Sequence, residues 1–196
     1  MIYGFDFDDT LVTNWTSTPL PNAREQLATL PPKAPSFVAT NQGGPAFRAV
    51  LGQTKYPTVE DVVTRLVEGF RLLRWWPDQL LVCCCAGREG ANWWRAEAAA
   101  AAALDPLLKA ALPHVRCQTF INPYYRKPEP GMLIAARGVG LEYRSDTMVY
   151  VGDMESDEAA ARAAGAQFVD APAWLSGQAL PTSTPPPHND RHDRAT

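Results

Sequence analysis

The sequence predicts an α/β fold, a mainly parallel sheet with helices on both of its faces. Three observations carry this reading. Short apolar runs alternate with helical segments along most of the chain, the pattern of strand–helix–strand crossovers. Polar and acidic residues collect where several of those runs end, at 6–10, 40–44 and 152–157. In a parallel sheet such ends open on one edge, where α/β proteins bind ligands. The chain has 196 residues, 46% hydrophobic and 20% charged, which suits one globular domain with its own core.

The elements follow in order. Ile2-Tyr3-Gly4-Phe5 opens a first strand over 1–7, followed by a helix over 21–30. Ser36-Phe37-Val38-Ala39 marks a second strand over 35–40, which leads into Thr40-Asn41-Gln42-Gly43-Gly44 and a helix over 44–52. Thr58 is an N-cap, and Asp61 three residues on completes an acidic version of the capping box. Val59, Val62, Val63, Leu66, Val67 and Phe70 then recur at helical spacing, so a helix is expected over 58–75. Leu80-Leu81-Val82 and the three cysteines after it form a strand over 79–85. The segment 96–104 is nearly all Ala and Glu, the best helix-forming composition, and predicts a helix over 91–104. Asp105-Pro106 is expected to end it and to open a second helix over 106–112, because proline suits a first helical turn. Strands over 115–121, 147–151 and 166–169 and helices over 129–138, 155–165 and 172–177 complete the pattern, with Gly165 closing its helix.

The expected domain covers 1–176, with no internal repeat. Residues 177–196 turn polar and proline-rich and are read as a mobile tail. His188 and His192 would meet on a helix, but the prolines before them oppose one. A net charge of −3 and a pI near 5.6 argue against bulk nucleic-acid binding, although Arg71, Arg74, Trp75 and Trp76 form a local aromatic-basic cluster. No apolar run approaches membrane-spanning length, and the first strand leaves no room for a signal peptide, so a soluble cytoplasmic protein is expected. Cys83, Cys84, Cys85 and Cys117 are read as reduced, buried, small hydrophobes. Four thiolates could in principle hold zinc, but three consecutive strand residues converge poorly on one ion.

Asp6, Asp8 and Asp9 place three carboxylates within four positions at the end of an apolar strand. Like charges this close repel, and burial worsens the conflict, so a bound cation is expected. Residues two apart on a strand share a face, so Asp6 and Asp8 can serve one site. Thr40 ends the second strand. Much later comes Arg126-Lys127-Pro128-Glu129-Pro130-Gly131-Met132, then Gly152-Asp153-Met154-Glu155-Ser156-Asp157 after the strand over 147–151. Mg²⁺ prefers a few carboxylate or carbonyl oxygens, and Asp6 and Asp153 suit it. Asp157, one helical turn after Asp153, either serves the site or simply favours the helix N-terminus.

This ordered set resembles the haloacid dehalogenase (HAD) superfamily of aspartate-nucleophile phosphatases over about residues 1–170. The resemblance implies a Rossmann-like three-layer sandwich and a Mg²⁺-dependent phosphomonoester hydrolase acting on a small phosphorylated metabolite. It casts Asp6 as nucleophile and metal ligand, and Asp8 as general acid and then base, with its backbone carbonyl on the metal. Thr40 becomes a donor to phosphoryl oxygens, Lys127 the positive charge of the reaction centre, and Asp153 a metal ligand. Asp157 would hold a metal-bound water or orient Lys127. Thr40-Asn41-Gln42 and the Arg126-Lys127-Pro128 run look like the branch of histidinol-phosphate phosphatase, heptose bisphosphate phosphatase and the 3′-phosphatase half of polynucleotide kinase 3′-phosphatase. Only about 30 residues separate the first two motifs, which leaves no room for a large cap domain. Where two of those relatives carry a zinc loop, this chain has a stretch over 87–126, read as a possible specificity insert. Asn41, Arg88 and Arg126 are candidate substrate-binding residues beside Thr40. Two other readings stand beside the leading one: a phosphatase of nucleic-acid 3′ ends, and a non-catalytic phosphate-binding module.

Overall fold

The computed structural model describes residues 1–138 and 147–182. Six strands form one sheet: β1 (Ile2–Phe5), β2 (Ser36–Asn41), β3 (Gln79–Cys83), β4 (Arg116–Phe120), β5 (Met148–Gly152) and β6 (Gln167–Asp170). Their order is β4-β3-β2-β1-β5-β6, and every neighbouring pair is parallel. Among the described residues seven α-helices accompany them: α1 (Ala23–Leu27), α2 (Gly44–Leu51), α3 (Val59–Leu73), α4 (Ala91–Ala111), α5 (Gly131–Gly138), α6 (Glu155–Ala163) and, after the last strand, α7 (Ala171–Leu175). The predicted α/β fold with a parallel sheet is therefore the observed one.

Alternation along the strands sends side chains to two separate cores. Tyr3, Phe5, Val38, Leu80 and Val149 pack under α3, α4 and α7. Ile2, Phe37, Leu81, Met148 and Tyr150 pack under α5 and α6. Both faces are covered, which is why the strands are apolar throughout. Gly4 has no side chain because Phe37 lies across it: a Cβ there would meet the Phe37 ring at 2.1 Å.

The chain leaves β1 toward β2 on one side and leaves β5 toward β6 on the other. The sheet's order reverses between these two neighbours, and a crevice opens at their C-terminal ends. β1 stops at Phe5, two residues short of the expected strand, because the chain then curls back. Leu11 and Val12 N–H both donate to Phe7 O, and Asp9 adopts a left-handed φ of 53°. Bridges between Asp8 and Val12 and between Val12 and Pro19 fold the following loop over the edge of the crevice.

One expectation fails outright. Asp105-Pro106 does not divide two helices, because α4 runs unbroken through Pro106. Glu97, Ala100, Ala101, Leu104 and Leu108 form one buried stripe on both sides of the proline, while Pro106 itself is exposed. An interior proline costs a helix about 3 kcal/mol, and the continuous stripe offsets that by tertiary packing. The segment 87–126 is thus no appendage. It supplies α4, β4 and the short 3₁₀ turn Pro123–Tyr125, a regular crossover of the sheet. At the other end, Tyr3 OH donates to Pro181 O at 2.8 Å, and Leu180 packs against the core, so 177–182 are attached to the domain. Residues 183–196, with His188 and His192, lie outside the described residues.

Candidate active site

Three strand ends and one loop build the site. Asp6 follows β1, and its N–H still bonds Val151 O at 2.9 Å. Thr40 and Asn41 are the last residues of β2, and Asp153 follows β5. Lys127 comes from the loop between the Pro123–Tyr125 turn and α5. Asp6, Asp8, Thr40, Asn41, Lys127, Asp153 and Asp157 line one cleft of about 470 Å³. Residues more than 100 positions apart meet there because the parallel topology brings all their strand ends to one edge.

Lys127 is the electrostatic centre. It is buried, and its Nζ donates to Asp6 Oδ1 at 2.6 Å and to Tyr150 OH at 3.2 Å, while Asp157 Oδ1 stands 2.6 Å away. Burial opposes its charge, but Asp6, Tyr150 and Asp157 outweigh that and hold its pKa well above the ordinary lysine value. The other Asp157 oxygen accepts the Met154 N–H at 3.1 Å, so this carboxylate caps α6 and orients Lys127 together. One Asp157 side chain thus meets both the helix terminus and Lys127. Asn41 grips the lysine's backbone from both sides: Lys127 N–H donates to Asn41 Oδ1 at 3.2 Å, and Asn41 Nδ2 donates to Lys127 O at 3.3 Å. Asn41, expected to bind substrate, thus holds the backbone of the lysine-bearing loop.

The Asp6 carboxyl is pushed up to about 7. Burial is the main cause, Lys127 opposes it, and the Asp157 charge adds to it. Asp153 is also raised, by burial and then by Asp157. Carboxylate oxygens of Asp6, Asp153 and Asp157 lie within 4.8 Å of one another. Three hard oxygen donors that resist sharing their negative charge fit a hard divalent cation such as Mg²⁺ or Ca²⁺. The side chain of Asp8 stays outside this group.

Asp8 is held elsewhere. Arg65 spans it with both terminal nitrogens, Nη1 on Oδ1 and Nη2 on Oδ2, the latter at 3.2 Å. Gln42 Nε2 donates to the same Oδ2 at 3.0 Å, and the Trp15 N–H reaches Oδ1 at 3.4 Å. Four donors thus converge on this one carboxyl group. Gln42 Nε2 also donates to Thr40 Oγ1 at 2.8 Å, which links Asp8 to the hydroxyl expected to meet the phosphoryl group.

Arg88 falls outside the cleft: it is exposed, on the loop before α4, and does not line the site. Of residues 87–126, Arg126 alone lines the cleft, and its Nη1 donates to Cys85 O at 2.7 Å. Trp93 packs edge-on against Phe47 with ring centroids 5.0 Å apart, a packing role, while Trp94 is exposed. The cysteines are buried and unpaired. Cys84 lies in one core and Cys83 and Cys85 in the other, so they do not converge on a metal.

Four further polar residues meet the site or the core, three of them in ways no local pattern reveals. Gln42 ends the Thr40-Asn41-Gln42 run and bonds both Asp8 and Thr40. Tyr150 looked like one more aromatic strand residue, yet its OH also donates to Ala39 O at 3.1 Å. Glu97 was hidden in an alanine run, and it is buried with the Ala86 N–H at 2.6 Å. Arg65 left a usable signal. Between Val62, Leu66, Gly69 and Phe70 it occupies the buried stripe of α3, where an unpaired arginine would be prohibitive.

Residues 124–172 match the family model described as HAD-hydrolase-like. That segment carries Lys127, Asp153 and Asp157, so the family match and the fold both bear out the resemblance to the HAD superfamily. Two solved structures of glycerol phosphate phosphatase from Mycobacterium tuberculosis are similar, one in complex with calcium and one with magnesium. They share 14% and 16% identity with this chain, at TM-scores of 0.39 and 0.38. Both comparisons cover 85% of this chain, which spans only 64% and 66% of theirs, just under two thirds. No curated protein matches significantly.

Proposed function

We propose that this HAD-like hydrolase is a Mg²⁺-dependent phosphomonoesterase acting on a small phosphorylated metabolite through an aspartyl-phosphate. One observation carries the reading. Lys127 Nζ lies 2.6 Å from Asp6 Oδ1, so a single cation sits beside a carboxylate at the mouth of the sheet's switch point. A phosphate ester and a carboxylate repel, and this lysine reduces the repulsion for both. Asp6 and Asp153, with the Asp8 carbonyl as a third donor, would hold Mg²⁺, which supplies further positive charge for the phosphoryl group.

The rest is work for the chain's own residues. An Asp6 oxygen attacks phosphorus, and the ester P–O bond breaks in line with it. A proton from the Asp8 carboxyl goes to the leaving oxygen, giving the free alcohol. Asp8, now a carboxylate, takes a proton from water, whose oxygen attacks the aspartyl-phosphate and releases inorganic phosphate and Asp6. Thr40 Oγ1, already accepting from Gln42, has its own proton free to donate to a phosphoryl oxygen.

The 3′-end reading has less support. Arg71 is bonded to Glu68, and Trp75 packs edge-on against Phe5. The 71–76 cluster also precedes β3, at the edge of the sheet away from the cleft. The deciding assay is hydrolysis of a generic aryl phosphate with Mg²⁺ and with EDTA, followed by a panel of sugar, nucleotide and oligonucleotide phosphates. Metal-dependent turnover that favours one small phosphate is the expected result. Turnover indifferent to EDTA, or retained in Asp6→Asn, would overturn the proposal.

A further inference from the structure

We infer that Arg65 is a positioning residue for the reaction, acting on it through Asp8. The inference rests on the reading of Asp8 as the proton-transfer group. Arg65 belongs to α3, an element with no other residue in the reaction centre, and it lies about sixty positions from Asp8. Its side chain is only 10% exposed. A guanidinium is not buried on the core face of a helix without compensation. Here the compensation points at the cleft and nowhere else: both terminal nitrogens meet Asp8, and Nη2 also donates to Gln42 Oε1 at 2.7 Å.

Aromatic rings hold the guanidinium in turn. Its carbon lies 5.4 Å from the Phe7 ring centroid and 5.7 Å from that of Trp15. Trp15 is 59% exposed at the mouth of the cleft, and it adopts a left-handed φ of 60°, unusual for so bulky a residue. The Arg65 carbonyl accepts from Ser17 Oγ at 3.2 Å, which ties the same loop to α3. One arginine therefore fixes the Asp8 carboxylate, the Gln42 amide next to Thr40 and the loop over the site. The planar two-pronged contact sets both the distance and the orientation of the carboxylate, which a lysine cannot reproduce.

A double-mutant cycle on kcat tests this. Arg65→Met is expected to slow turnover of an alkyl phosphate on the order of 100-fold with little change in KM, as misplacement of a reacting group does. Arg65→Lys should fall between Met and the parent. The distinguishing arm is Asp8→Asn with and without Arg65→Met. If Arg65 works through Asp8, the double variant is within about twofold of Asp8→Asn alone. Two losses that multiply would overturn the inference, because they would mean that Arg65 acts independently of Asp8. Should Arg65→Met fail to fold, Arg65→Lys carries the same cycle with the charge and the stem retained. A fully active Asp8→Asn would instead sink the reading of Asp8, and that failure is visible before Arg65 is touched.

Discussion

Asp157 and Lys127 form a buried ion pair, Oδ1 to Nζ at 2.6 Å, with the residues 1% and 5% exposed. Through it the first turn of α6 is fastened to a loop that precedes α5. The lysine thereby answers to two carboxylates, Asp6 and Asp157, and the cleft carries more negative charge than its one buried ammonium balances. Much of the protein's behaviour without metal follows from that imbalance.

Lys127→Met should abolish turnover and destabilise the metal-free protein by about 3–5 kcal/mol, the usual cost of removing one partner from a buried pair. Three carboxylates within 4.8 Å would then face one another without a cation. Urea unfolding in EDTA and again in Mg²⁺ checks both halves, since the metal should restore part of the lost stability. A variant as stable as the parent in EDTA would mean that Lys127 contributes nothing to the charge balance.

Asp6→Asn should also end turnover, but with the opposite effect on stability. The Asp6 carboxyl is raised from 3.8 to about 7, chiefly by burial, so the folded state holds that proton more tightly than the unfolded chain. Its contribution is fully present below about pH 4 and is lost as pH rises through about 7. In EDTA the parent should therefore lose stability relative to Asp6→Asn between pH 5 and pH 8. Parallel unfolding curves for the two proteins across that range would refute the assignment.

Gly152→Ala probes the Asp157–Lys127 pair without touching a charge. A Cβ at Gly152 would stand 2.4 Å from Asp157 Cβ, where the last residue of β5 passes under α6. Overpacking of this kind costs about 1–3 kcal/mol, and here the displaced group is the one that orients Lys127. Both the melting temperature and kcat should fall. At Gly138 a Cβ meets nothing within 4 Å among the described residues, so Gly138→Ala serves as the control with normal activity.

Burial pushes the Cys83 and Cys84 thiols up to about 12 and the Cys117 thiol up to about 11. Thiolate is the reactive form, so native protein at pH 8 should resist alkylation at these positions, and protein unfolded in urea should react at all four cysteines. Rapid modification of Cys83 or Cys84 in the folded state, followed by mass spectrometry, would contradict their placement in the two cores.

The α/β class and the six strands were legible because apolar runs, caps and turn residues are local signals. Asp6 and Asp153 were legible for a related reason: carboxylates at the ends of apolar strands conflict with burial unless they share a site. Lys127, on a loop, stood out only through the family resemblance of its Arg126-Lys127-Pro128 run. Local rules misjudged Asp105-Pro106, where a buried stripe extending past the proline outweighed its helix-breaking tendency. They also could not separate Arg88, which stays outside the cleft, from Arg126, which lines it. A side chain's distance from a site depends on the path of the whole crossover and not on its neighbours in sequence.

By itself, then, the sequence determined the parallel α/β architecture and its acidic edge, since both follow from which residues can be buried and which cannot. Tertiary structure alone decided the partners within that edge. It joined Asp157 to Lys127, folded Asn41 around the lysine's backbone and brought Arg65 from α3 onto Asp8. Such pairs are set by strand order and helix rotation, over distances at which a linear pattern carries no directional information.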